Sequence, residues 1–107
     1  MGLDEVFGAL SDPTRREVLR LLRERGALTA GGIAGEFDLA KSTMSGHFTV
    51  LRHAGLIVSE RHGQQIVYSL SQSVFEETVE AVMRLLGVGR GGVGRTGRGA
   101  RGGGGRS

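Results

Sequence analysis

The amino-acid sequence predicts a mainly α fold with one small β-hairpin. Three observations carry that expectation. Apolar residues recur at helical spacing in several segments between residues 3 and 86. Residues 56–70 switch to β-forming side chains around a glycine. Capping and stopping residues such as Asp12-Pro13, Gly26 and Gly55 stand at the joints.

Taken in order, Leu3, Val6, Phe7 and Leu10 share one face of a first helix over residues 3–10. Asp12 precedes Pro13, so steric crowding drives it out of the helical region. Pro13 suits a first helical position, and Asp12 becomes the N-cap of a second helix running to about Arg25. Val18, Leu19, Leu21 and Leu22 form its apolar side, and Gly26 stops it. Thr29 caps a short third helix over roughly residues 30–37, with Ile33, Ala34 and Phe37 inward. Gly31, Gly32 and Gly35 weaken it, so packing must hold it. After a turn at Asp38-Leu39-Ala40, a fourth helix spans about 41–54 with Met44, Phe48 and Leu51 at i, i+4, i+7. Ile57-Val58 and Ile66-Val67-Tyr68 then form a hairpin turning at His62-Gly63. Ser73-Val74-Phe75-Glu76 reads as a capping box opening a fifth helix to about Leu86. Phe75, Val79, Val82 and Leu86 make its stripe, with Val74 and Met83 alongside.

Charge divides the chain. Its 107 residues carry 14 Lys+Arg against 11 Asp+Glu, a formal +3. Residues 87–107 hold 11 of the 20 Gly and five Arg but no acid, which leaves residues 1–86 with 9 basic and 11 acidic groups, a net of −2. The expected organisation is therefore one folded domain over 1–86 and a disordered Gly/Arg-rich tail over 87–107, which has too little apolar surface to fold. The tail has two open readings, a sequence-blind clamp on phosphates or an extension that adds solubility. The absence of Cys excludes disulfides, thiolate metal sites and Cys nucleophiles. No apolar run approaches the roughly 18 residues of a membrane span, and no basic-then-apolar leader opens the chain, so a cytoplasmic location is expected.

The third and fourth helices, joined by a short turn, have the outline of a helix-turn-helix, and the hairpin behind them that of a wing. The expected order is α-α-α-α-β-β-α, a winged helix-turn-helix. The outward face of the fourth helix carries Lys41, Ser42, Thr43, Ser45, Gly46, His47, Thr49 and Arg52. Hydroxyls and cations of this kind bond phosphates and base edges. An ordinary solvated face would carry Glu and Lys at i, i+4, yet no acid occurs between Asp38 and Glu60. Double-stranded DNA is the favoured partner. The wing tip adds Arg61, His62, Gln64 and Gln65, all able to reach phosphate or the minor groove. Catalysis is not expected, because Ser42, Ser45 and His47 lack a buried carboxylate and an oxyanion loop.

Three strings are similar to one known family. Ala9-Leu-Ser-Asp-Pro-Thr-Arg-Arg-Glu-Val-Leu resembles the start of its second helix. Lys41-Ser-Thr-Met-Ser-Gly-His-Phe-Thr-Val-Leu-Arg-His-Ala-Gly-Leu-Ile resembles its recognition helix, and Gly63-Gln-Gln-Ile-Val-Tyr-Ser-Leu its returning strand. With the order of elements, the match covers nearly all of residues 3–86 and resembles the ArsR/SmtB winged-helix repressors. Arg15-Arg16 after Asp-Pro-Thr resembles the metal-independent autorepressor branch, of the sporulation-delaying-protein repressor type.

The resemblance implies a sequence-specific repressor that binds an inverted-repeat operator as a symmetric homodimer through its first and last helices. A body of 86 residues buries roughly 60–65% of its surface, so Leu3, Val6, Phe7, Leu10, Phe75, Val79, Val82, Met83 and Leu86 have a use against a twin chain, some of them alternatively in the chain's own core. Two recognition helices would then sit roughly 34 Å apart. Two departures stand out. Ala40 replaces the usual Ser or Thr cap, a loss of about 1 kcal/mol, and Gly46 replaces a base-reading side chain, which shifts specificity to its neighbours or to DNA shape. Metal-binding relatives use Cys pairs or Asp and His on the fifth helix; here that helix has no His, and His47, His53 and His62 form no i, i+4 pair. No metal and no cofactor are expected; what remains is a repressor without an inducer site, an unknown small molecule, or relief by a sequestering protein partner, and the autorepressor resemblance favours the last. Two alternatives remain: a winged-helix module that binds protein, and an RNA-associated protein working through its Arg/Gly tail.

Overall fold

The computed structural model describes residues 2–88; the expected tail lies outside them, apart from Gly87 and Val88. The elements are α1 (Leu3–Leu10), α2 (Pro13–Arg25), β1 (Leu28–Thr29), α3 (Ala30–Ala34), α4 (Lys41–His53), β2 (Ile57–His62), β3 (Gln65–Leu70) and α5 (Gln72–Leu86). The chain divides into two units, one running to Phe75 and one starting at Glu76. The first holds the winged helix-turn-helix.

The joints follow the local chemistry. Asp12, extended at φ −101° and ψ 131°, accepts the Arg15 backbone N–H at 3.1 Å and opens α2. Thr29 accepts the Gly32 N–H at 2.9 Å and opens α3. α4 ends in a Schellman motif: Gly55 N–H donates to the Arg52 carbonyl at 2.9 Å and Leu56 N–H to the Leu51 carbonyl at 3.0 Å. Gly55 must turn left-handed for this, at φ 81°. Leu56 and Leu51, the hydrophobic pair of that motif, are both fully buried. Gly63, at φ 64°, takes the first central position of the two-residue turn between β2 and β3.

Three boundaries differ from expectation. β1 adds a third strand, so the sheet is antiparallel in the order β1-β3-β2, with Leu28 opposite Tyr68 and Ile57 opposite Leu70. α3 closes at Ala34 rather than near 37; beyond it the chain continues in i→i+3 bonds, Glu36 N–H to Ile33 and Phe37 N–H to Ala34. α5 begins at Gln72, so Ser73 stands inside its first turn instead of capping it.

The core of the first unit joins Val6 and Ala9 of α1, Val18, Leu19, Leu21 and Leu22 of α2, Ile33 of α3, and Met44, Phe48 and Leu51 of α4 to Ala54, Leu56 and Ile57. Phe48 also lies on Tyr68 of β3, with ring centroids 4.7 Å apart. No polar side chain is buried among the described residues. Val6, expected on a pairing face, is a correction: it is wholly buried in its own chain.

Candidate nucleic-acid interface

α4 is anchored from behind. Met44, Phe48 and Leu51 are buried, and their spacing fixes which side of the helix faces out. Lys41, Ser42, Thr43, Ser45, Gly46, Thr49 and Arg52 are all exposed on that outer side. Ala40 is the N-cap and its side chain caps nothing, so the first N–H groups of α4 stand uncapped at a positive helix end with no acid in the first turn. Lys41 and Arg52 make no ion pair among the described residues. Thr49 spends its hydroxyl proton on the Ser45 carbonyl at 3.0 Å. Around Gly46 there is open space: an added Cβ would meet nothing within 4 Å, so packing inside the chain does not demand a glycine there.

His47 is placed differently from its neighbours. Its side chain is only 14% exposed, and its Nδ1 lies 3.2 Å from Arg15 Nη1 and 3.9 Å from Asp12 Oδ2. The ring therefore leans on the start of α2 rather than standing out with Ser45. Arg15 and Asp12 were missed as site residues. Arg15 Nε donates to the Ala9 carbonyl at 2.8 Å and Nη2 to the Gly8 carbonyl at 3.1 Å, while Arg16 donates to Leu10 at 2.7 Å. These carbonyls are the orphan acceptors at the negative end of α1, which explains two arginines just past it. Asp12 is held below the usual carboxylate range, chiefly by the Arg15 backbone N–H.

The wing tip is exposed. Arg61, Gln64 and Gln65 have no side-chain partner among the described residues, whereas His62 Nε2 is paired with Glu60 at 2.8 Å. Among the described residues no hydrogen bond or ion pair joins the tip to α4. The expected pairing residues are mixed. Leu10 and Phe75 pack on the core. Leu3 is half-buried, and Phe7 stays 43% exposed. In the second unit Val82 is half-buried, and Val79, Met83 and Leu86 are exposed. Among the described residues no group of His, Asp or Glu is placed to hold a metal, and no helix is long and apolar enough to cross a membrane.

Free hydroxyls and cations on one exposed helix face, beside a wing, define a DNA-binding regulator of the winged-helix class. A family described as a helix-turn-helix domain matches residues 10–60. The chain is 39% identical over 87 residues to the transcriptional repressor SdpR of Bacillus subtilis (strain 168), covering 81% of this chain and 96% of that protein. A crystal structure of an ArsR family transcriptional regulator matches with a TM-score of 0.70 at 33% identity, over 78% of this chain and 84% of that one. An ArsR-like transcriptional regulator from Rhodococcus sp. RHA1 matches at 0.69 and 30%, over 78% and 77%. The chain belongs to the ArsR/SmtB family of winged-helix repressors. It is a DNA-binding transcription regulator and not an enzyme.

Proposed function

We propose that the protein is a cytoplasmic, sequence-specific repressor that binds an inverted-repeat operator as a homodimer, acts on its own promoter and needs no metal. The observation that carries the reading is the acid-free, exposed face of α4. On it Ser42, Thr43 and Ser45 meet base edges, with the half-buried His47 ring at its border, Lys41 and Arg52 meet phosphates, Thr49 meets the duplex as an acceptor because its proton is committed to Ser45, and Gly46 lets the backbone come close. Arg61, His62, Gln64 and Gln65 follow the neighbouring backbone or minor groove. The similarity to a repressor, SdpR, supports the regulatory sign. Phe7 on α1 and the Val79, Met83 and Leu86 side chains on α5, all exposed, support pairing through those two helices. A sequestering protein partner is the proposed route of release.

Selection of duplexes from a random-sequence library, followed by footprinting of the enriched sequence, tests this. The expected product is an inverted repeat with half-sites about 10–10.5 base pairs apart, centre to centre, protected by two chains. A library that stays unenriched overturns it. Deleting residues 87–107 separates out the tail: a flatter dependence of affinity on salt places its arginines on phosphate, and an unaltered slope removes them.

A further inference from the structure

The contact between Arg15 and His47 has a chemical consequence. A guanidinium has donors only and never accepts. Arg15 Nη1 lies 3.2 Å from His47 Nδ1, so a hydrogen bond between them requires Nδ1 to accept and to hold no proton. In a neutral imidazole the proton then sits on Nε2. Asp12 Oδ2, the other group near Nδ1, lies 3.9 Å away, beyond hydrogen-bond reach, and faces the ring as a nearby charge only. Arg15 cannot easily swing aside, because two further nitrogens of its planar head are fixed on the carbonyls of Gly8 and Ala9. Nε2 itself has no partner among the described residues, and the His47 side chain keeps 14% of its surface exposed.

We propose that Arg15 is a positioning residue for DNA recognition: it locks His47 as the Nε2–H tautomer, so α4 offers a fixed hydrogen-bond donor to an acceptor on the duplex. That acceptor is a phosphate oxygen or the O6/N7 edge of guanine. The same guanidinium ties the end of α1 to the recognition helix, so the donor's position is referred to α1. The proposal rests on the reading that α4 meets DNA.

Two measurements test it. The first uses imidazole nitrogen NMR on the free full-length protein at neutral pH. His47 should show a pyridine-type Nδ1 and a pyrrole-type Nε2 with no tautomer averaging, and Arg15→Leu should restore averaging. Averaged signals in the unsubstituted protein, or a protonated Nδ1, overturn the lock. The second measures affinity for the duplex enriched from the random library. His47→Leu should weaken binding roughly 5- to 150-fold, while His47→Gln, which keeps a donor near the position of Nε2, retains most of it. Arg15→Leu should weaken binding too, and the double variant should bind no worse than His47→Leu alone; fully additive losses overturn the coupling. Arg15→Leu also removes the side-chain donor to the Ala9 carbonyl and one of the donors to the Gly8 carbonyl. If it fails to fold, the spectrum of the unsubstituted protein and the two His47 variants decide alone. A loss confined to the enriched duplex identifies a base edge, and an equal loss on a scrambled duplex identifies phosphate. Indifference to His47→Leu while Ser45→Ala weakens binding overturns the donor only. Indifference to His47→Leu, Ser45→Ala and Lys41→Ala together overturns the reading of α4 itself.

Discussion

The outward faces of α2 and α4 belong to helices of equal length, 13 residues each, and they treat their charges in opposite ways. On α2, Arg20 reaches back to Glu17 and forward to Glu24, the latter at 2.6 Å. Those pairs hold both carboxyls below their usual range and push the arginine up. The face satisfies itself. On α4 the cations stand without an acid, and the hydroxyls of Ser42, Thr43 and Ser45 have no partner within the described chain. A helix surface that closes its own pairs is built for water; one that leaves donors and cations unmatched is ready for an acidic, acceptor-rich partner such as duplex DNA.

Substitutions sharpen that contrast. The largest effect falls behind α4. Leu51→Ala should cost about 2–5 kcal/mol of stability, seen as an earlier urea midpoint, because Leu51 is wholly buried and anchors the Schellman turn. A midpoint that stays put would detach α4 from the core. On the outer face, Ser45→Ala should lower affinity for the enriched duplex by about 1–3 kcal/mol with an unshifted urea midpoint; equal losses in both assays would make Ser45 structural. Gly46→Ala should separate the two properties most cleanly. Its site is helical with open space around it, so alanine stabilises the fold by about 0.5–1 kcal/mol, yet weakens DNA binding by holding the backbone away. A variant improved in both refutes close approach. The smallest effect belongs to α2. Asp12, Glu17 and Glu24 titrate below their unfolded values, so their stabilisation is present at neutral pH and drains away as pH falls from about 4 through the lower folded values. Arg20→Ala should soften that acid-side loss and leave duplex affinity unchanged; a drop in affinity would mean the α2 face also meets DNA.

Much of the fold is written locally. Asp12-Pro13, Gly26 and Gly55 fix where α2 starts and where α2 and α4 stop, because cap and left-handed positions depend on the residue that occupies them. β1 is not legible that way: two residues have no period, and Leu28-Thr29 is a strand only because Tyr68 and Val67 lie opposite. α3 falls short because three glycines let i→i+3 bonds take over after Ala34. Helical periodicity also says where a Cβ points but not what a long side chain meets 32 residues away, which is why the Arg15 contact to His47 was hidden. A signal was present in the two arginines placed just beyond the end of α1, where carbonyls lack partners.

Backbone amide NMR during titration of the full-length protein with the enriched duplex puts the two faces in direct competition. Shifts should gather at residues 41–49 and 61–65 while residues 17–24 stay still. If residues 17–24 respond and 41–49 remain silent, the recognition surface has been placed on the wrong helix.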